Sequence, residues 1–315
     1  MQNVKTLLIV SILLLSQSIY AQLPANYKLV FDDTFDSTAI NSSKWNSIWD
    51  WNQSGSVNVS FCNNIPSGWI RPDLYGYRKT HFENCIVSDG TLKIVSQKEN
   101  YSGWVDNWPL CTSDSCKKGT GYGACEKSKS PSHCLDHDLL KFNYTTGMLI
   151  SKKTFKYGYF EIRCKLPKPK PPKTNTGIGP NFWLWSGAGP VVTWSEIDIF
   201  EFDGKNSTFG SSVHYEDVNG NKSHGIPESD NVPPIFVDFS DFHTFSLLWT
   251  PHKMKFYLDG KEYLSTNSHA KELIDMFLII DVNVPIYTQC QLIDPENTLL
   301  PHNYEIDYVR VYQKK

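Results

Sequence analysis

The sequence predicts an all-β chain built as two packed antiparallel sheets, and three observations predict it. Short runs of alternating apolar and polar residues dominate, separated by clusters of Gly, Pro, Asn and Asp. Apolar residues at helical spacing are scarce, and no strand–helix–strand rhythm recurs. Asp259-Gly260, between Phe256-Tyr257-Leu258 and Lys261-Glu262-Tyr263, is a strong hairpin signal.

From the N-terminus, Lys5, the apolar run Leu7 to Leu15 and the pair Tyr20-Ala21 read as a signal peptide over 1–21, cleaved before Gln22. The mature chain is therefore expected to be secreted. Strands are expected at Tyr27–Asp32, Thr91–Gln97, Met148–Lys152, Tyr157–Leu166, Asn181–Trp185 and Ser195–Phe202. Further strands follow at Ser211–Tyr215, His243–Thr250, Lys253–Leu258, Met276–Val282 and Tyr304–Tyr312, with one short helix around Ala270–Ile274. Asn100 to Asp138 reads as a Cys-rich insertion. Pro167 to Gly177 reads as a loop, because Pro supplies no donor to a ladder. Strand patterns that need partners lie on both sides of each loop, so 22–315 is expected to form a single domain.

The net charge of −3 implies neither nucleic acid nor an anionic membrane as partner. No stretch after the leader reaches the ~20 apolar residues of a membrane span. Ten Trp and sixteen Tyr suit β-sheet cores and equally suit stacking on the apolar faces of sugars. Eight Cys in an exported chain favour disulfides. Cys111, Cys116, Cys125 and Cys134 are expected to staple the insertion, and Cys62, Cys85, Cys164 and Cys290 to tie distant segments. Zinc held by Cys134 with His133 or His137 is the weaker alternative, since these spacings fit no standard finger.

The most informative stretch is Trp194-Ser195-Glu196-Ile197-Asp198-Ile199-Phe200-Glu201-Phe202. On a strand Glu196 and Asp198 share one face, while Ile197 and Ile199 point into the core. Strict alternation would bury Glu201, and a buried Glu without a partner is costly. A β-bulge near Phe200 removes the conflict by turning Glu201 onto the face of the other two acids. The aromatic residues Trp183, Trp185, Trp194, Phe200 and Phe202 are expected to pack around them. The two Glu carboxyls could then approach to ~5–5.5 Å, the separation used in retaining glycoside hydrolysis. A solvated polar face is the bland alternative.

This run resembles the E-x-D-x-x-E signature of glycoside hydrolase family 16 in its bulged form. The resemblance extends to Leu29–Asp36 with Lys44-Trp45, Val87–Ile94, Tyr157–Arg163, Asn181–Leu184, Phe242–Phe245 through Trp249–Pro251, Phe256–Gly260 and Ile306–Tyr312. It implies a concanavalin A-like β-jelly-roll sandwich and a secreted enzyme that cleaves β-linked glucans or galactans internally, with retention of configuration. Carried onto this chain, Glu196 would be the nucleophile, Glu201 the general acid/base and Asp198 the residue that tunes Glu196. Trp183, Trp185 and Trp194 are candidates to stack on sugar rings, with core packing as the alternative. His214 is expected beside the catalytic strand, bonded to Asp198 or a sugar, or serving as a structural His. Arg78 resembles a cleft-edge contact. The chemistry requires no cofactor, and the partner is a polysaccharide acted on by a monomer.

The resemblance also implies a structural calcium ion, with Asp307 as its carboxylate. Here the chain departs from many relatives, having Thr34 where they carry an acid. It also has Ile178-Gly179-Pro180 where Trp-Pro-Ala is usual. The expected substrate is a β-1,3- or β-1,3-1,4-glucan. Agar, porphyran or carrageenan is the alternative, with Lys168, Lys170 and Lys173 available to an anionic chain. A glycan-binding lectin and a transglycosylase are further alternatives.

Overall fold

The computed structural model describes residues 23, 25–47, 76–79, 81–105, 138–167, 178–186, 192–202, 209–226, 235, 241–267, 270, 273–283, 287–288, 291–292 and 300–315. In chain order the first strands are β1 (Tyr27–Asp33), β2 (Trp45–Asn46), β3 (Gly76–Arg78), β4 (Cys85–Ser88), β5 (Thr91–Val105) and β6 (Asp138–Thr146). Next come β7 (Met148–Phe155), β8 (Gly158–Lys165), β9 (Gly179–Ser186), β10 (Val192–Phe202), β11 (Phe209–Asp217) and β12 (Lys222–His224). The last are β13 (His243–Thr250), β14 (Lys253–Leu258), β15 (Lys261–Thr266), β16 (Met276–Asn283), β17 (Tyr287–Thr288), β18 (Gln291–Leu292) and β19 (His302–Lys314).

Two sheets carry the architecture. A ten-stranded sheet runs β15-β14-β13-β8-β19-β5-β6-β3, with β1 on β19 and β4 on β5. A seven-stranded sheet runs β12-β11-β10-β9-β16-β7-β2. Pairing is antiparallel except between β3 and β6. Sheets of this kind bury one face each, so alternate residues enter a shared core. Phe160, Ile162, Phe245 and Leu247 enter it from the larger sheet, and Leu184, Ile197, Leu278 and Ile280 from the smaller, all at 0% exposure. The two-sheet antiparallel sandwich expected from the sequence is the fold observed.

Local signals explain the tight places. Asp259 and Gly260 both take positive φ, 48° and 79°, as the hairpin between β14 and β15 requires. Gly158 has φ 148°, and a Cβ there would lie 2.6 Å from the carbonyl oxygen of Tyr312, so no other residue fits.

Several expectations are corrected. The insertion does not begin as a loop at Asn100, because β5 continues to Val105 and β6 starts at Asp138, the two pairing as a long hairpin. No helix forms at the described residues Ala270, Leu273 and Ile274. Cys85 and Cys164 are free thiols buried in the core rather than bridges between segments. The expected leader, the remainder of the insertion, residues 168–177 with their three Lys, and the other six Cys lie outside the described residues.

Phe200 is the residue on which the register of β10 turns. It is 0% exposed, with ring centroids 4.2 Å from Phe245 and 6.3 Å from Tyr304. It and Phe202 therefore belong to the core and do not surround the acids as expected, because the bulge sends both inward. Phe200→Ala is expected to cost about 3–5 kcal/mol of stability by chemical denaturation, the usual cost of emptying a buried Phe site. A near-neutral result would place Phe200 on the outer face instead.

Candidate active site

The bulge proposed from sequence is present in both ladders of β10. Against β11, Asp198 pairs with Ser212 and Glu201 with Gly210, and against β9 Asp198 pairs with Trp183 and Glu201 with Asn181. Three residues on β10 thus span two on each neighbour. Glu196, Asp198 and Glu201 come to share the outer face of the seven-stranded sheet.

The register arranges that face in rows across the strands. The first row is His214, Glu196, Trp185 and Phe277; the second is Ser212, Asp198, Trp183 and Ile279. The third is Gly210, Glu201, Asn181, Asp281 and Met148. Met148, Ile150 and Ile279 form a small apolar cluster there, separate from the main core, against which Trp183, Trp185 and Phe277 pack. The two Trp rings lie outside the inter-sheet core, half-buried on the acid face. Trp194 is also half-buried and donates its indole N–H to Glu216 at 3.1 Å.

Asp198 is the buried centre of the acids, 1% exposed. It accepts a short hydrogen bond from the Ser212 hydroxyl, and His214 Nε2 lies 3.4 Å from its Oδ2. His214 Nδ1 accepts the Gly225 backbone N–H at 3.3 Å. A neutral ring must therefore carry its proton on Nε2, which sits 2.8 Å from Ser212 Oγ. Sequence reasoning placed His214 here and missed Ser212. The signal was available, since Ser212 lies one pleat from His214 on the same face.

The electrostatics separate the two Glu residues by cause. Burial, then the charges of Asp198 and Glu201 and a hydrogen bond with Asp198, push the Glu196 carboxyl well above the usual carboxylate range. The hydrogen bond between Glu196 and Asp198 lets one proton lie between the two carboxyls. Repulsion from Asp198, then burial and the charge of Asp281, raise Glu201 to about 8. The Glu201 side chain is exposed on the outer face, so the neighbouring charge is the stronger of its causes. Near neutral pH this places a proton-bearing Glu201 beside an anionic pair.

Two other sequence candidates fall elsewhere. Arg78 lies on β3, and its side chain is outside what is described. Asp307 is on β19, where Arg163 Nη1 holds its Oδ2 at 2.5 Å. The guanidinium compensates the charge of this carboxylate, and no step is assigned to a metal.

The raised Glu201 pKa makes a stability prediction. Its folded value of about 8 stands above the ordinary 4.5, so the folded chain binds this proton more tightly than the unfolded chain. The contribution is full at pH below 4.5 and is lost as pH rises through about 8. Glu201→Gln is expected to leave the thermal midpoint unchanged in acid and to raise it above wild type at alkaline pH. A difference independent of pH would contradict the assignment.

Comparison with known proteins gives a consistent answer. The model of Glycosyl hydrolases family 16 matches residues 89–310, well over half the chain. Glucan endo-1,3-beta-glucosidase A1 of Niallia circulans is 24% identical over 315 residues, 92% of this chain and 38% of that protein. The chain thus spans well under half the length of that relative. Kappa-carrageenase of Pseudoalteromonas carrageenovora is 26% identical over 78% of this chain and 60% of its own. A laminarinase catalytic domain from Thermotoga maritima shares the fold, with a TM-score of 0.57 and 24% identity over 92% of this chain and 99% of that one. The bulged acid strand and the match over most of the sandwich make one conclusion: the chain belongs to glycosyl hydrolases family 16.

Proposed function

We propose that this chain is a secreted endo-acting hydrolase of β-1,3- or β-1,3-1,4-glucan that works by retaining double displacement. The observation that carries the reading is the register of β10, which sets Glu201 on the face of Glu196 and Asp198. The relative from Niallia circulans supports the glucan, and the apolar leader supports export.

Glu201 donates its proton to the glycosidic oxygen as the C1–O bond breaks, and Glu196 attacks C1 to form an ester to the sugar. Asp198 takes up the proton shared with Glu196, which frees that carboxylate to attack. Ser212 and His214 hold Asp198 in place during the change. Glu201, now anionic, removes a proton from water; the hydroxide attacks C1 and Glu196 leaves. The half-buried rings of Trp183, Trp185 and Trp194 supply flat apolar surfaces beside the acids, suited to pyranose faces. The kappa-carrageenase match supports a second reading, in which the polymer is a β-galactan.

Incubation with laminarin, lichenan, agarose, porphyran and kappa-carrageenan tests this. New reducing ends from laminarin or lichenan are expected, and Glu196→Gln or Glu201→Gln should lower kcat by about 10²–10⁴-fold or more. Cleavage of the galactans alone would favour the second reading. Binding without cleavage of any polymer would make the chain a lectin.

A further inference from the structure

Asp281 is the acid that neither the motif nor the mechanism above uses. It sits on β16 within the apolar run Phe277-Leu278-Ile279-Ile280-Asp281-Val282, and is 1% exposed. Alternation puts Ile280 and Val282 in the core and Asp281 on the outer face, in the row of Glu201 and Asn181. Its Oδ1 accepts the Asn181 side-chain N–H at 3.1 Å and the Trp183 indole N–H at 3.0 Å. One buried oxygen thus fixes a neighbour of Glu201 and one of the aromatic rings opposite Asp198.

We propose that Asp281 is a positioning residue of the acid site, a fourth carboxylate that fixes the Trp183 ring and whose negative charge keeps Glu201 in its proton-bearing form. The proposal rests on the reading of Glu201 as general acid. Its charge is one of those that raise both Glu196 and Glu201.

The surroundings leave few competing charges. From β10 the row and its neighbours contain Glu196, Asp198 and Glu201, and from β11 His214. β9 carries no titratable side chain. β7 places Met148 opposite Asp281, and its Lys152 and Lys153 lie further along the strand. From the other sheet β5 turns Leu92, Ile94 and Ser96 inward, and Tyr304 of β19 is within electrostatic reach of Asp281. No described cation stands between Asp281 and Glu201. Their strands are separated by β9 alone, so the charges sit roughly 10 Å apart, which at an effective dielectric constant near 20 shifts a titration by about one pH unit.

The chemistry offers a clean substitution. The bonds from Asn181 and Trp183 go to the same oxygen, so Asp281→Asn keeps an acceptor for both while it removes the charge. A purely structural Asp281 would leave the titration of Glu201 unchanged in that variant. Protein labelled with ¹³C at the Glu carboxyls, with the Glu201 resonance assigned by its loss in Glu201→Gln, reports the midpoint without needing activity. The expected result is a fall of about one pH unit in D281N, with an equal downward move in the alkaline limb of kcat/KM. If D281N does not fold, Asp281→Ser, also neutral and smaller, takes its place with the same expectation. An unmoved Glu201 midpoint in the folded neutral variant would overturn the proposal. If wild type cleaves no polymer, the hydrolase reading fails, and the carboxyl titration still decides the role of Asp281.

Discussion

One extra residue in one strand determines the rest of the site. Between Asp198 and Glu201, β10 must send Phe200 into a core already occupied by Phe245 and Tyr304, and must keep Glu201 out of it. A regular strand can do neither, because its side-chain period of two would exchange the faces of both residues. The bulge serves both demands at once. Hydrophobic burial of Phe200 therefore holds the catalytic geometry in place, and the position of Glu201 is set from beneath the sheet.

The arrangement has an electrostatic cost. Glu196, Asp198, Glu201 and Asp281 crowd one face, and the described residues bring no Lys or Arg among them. The face offsets this with hydrogen bonds, from Ser212 to Asp198 with His214 against Ser212, and from Asn181 and Trp183 to Asp281. What repulsion remains appears as raised affinity for protons at the two Glu carboxyls. Held protons are what the proposed chemistry uses, so the strain and the function share one origin.

Much of this could be read from the sequence, for identifiable reasons. The strands from Tyr157 onward followed from alternation and turn residues. The bulge followed from the improbability of burying Glu201. The same argument applied to Asp281, an acid inside an apolar run, would have found the fourth carboxylate. Ser212 was missed although it lies on the face of His214, because a Ser on a strand draws no notice until its cross-strand partner is known. Phe200 and Phe202 were misplaced around the acids because aromatic residues suit a core and a sugar site equally well. Cys85 and Cys164 were read as bridges from compartment alone, and pairing depends on distances that spacing does not supply. The hairpin of β5 and β6 escaped because its Gly and polar residues outweighed the buried alternation of Phe142 and Tyr144.

The account's central claim is that Glu196 and Glu201 act from one strand face as nucleophile and acid/base. The stereochemistry of the first product tests it most directly. Proton NMR of the new reducing end, recorded in the first minutes of hydrolysis before mutarotation, distinguishes the anomers. The account predicts that the β-anomer appears first, since two inversions at C1 restore the configuration. An initial α-anomer would mean a single displacement by water, and would contradict the assignment of Glu196.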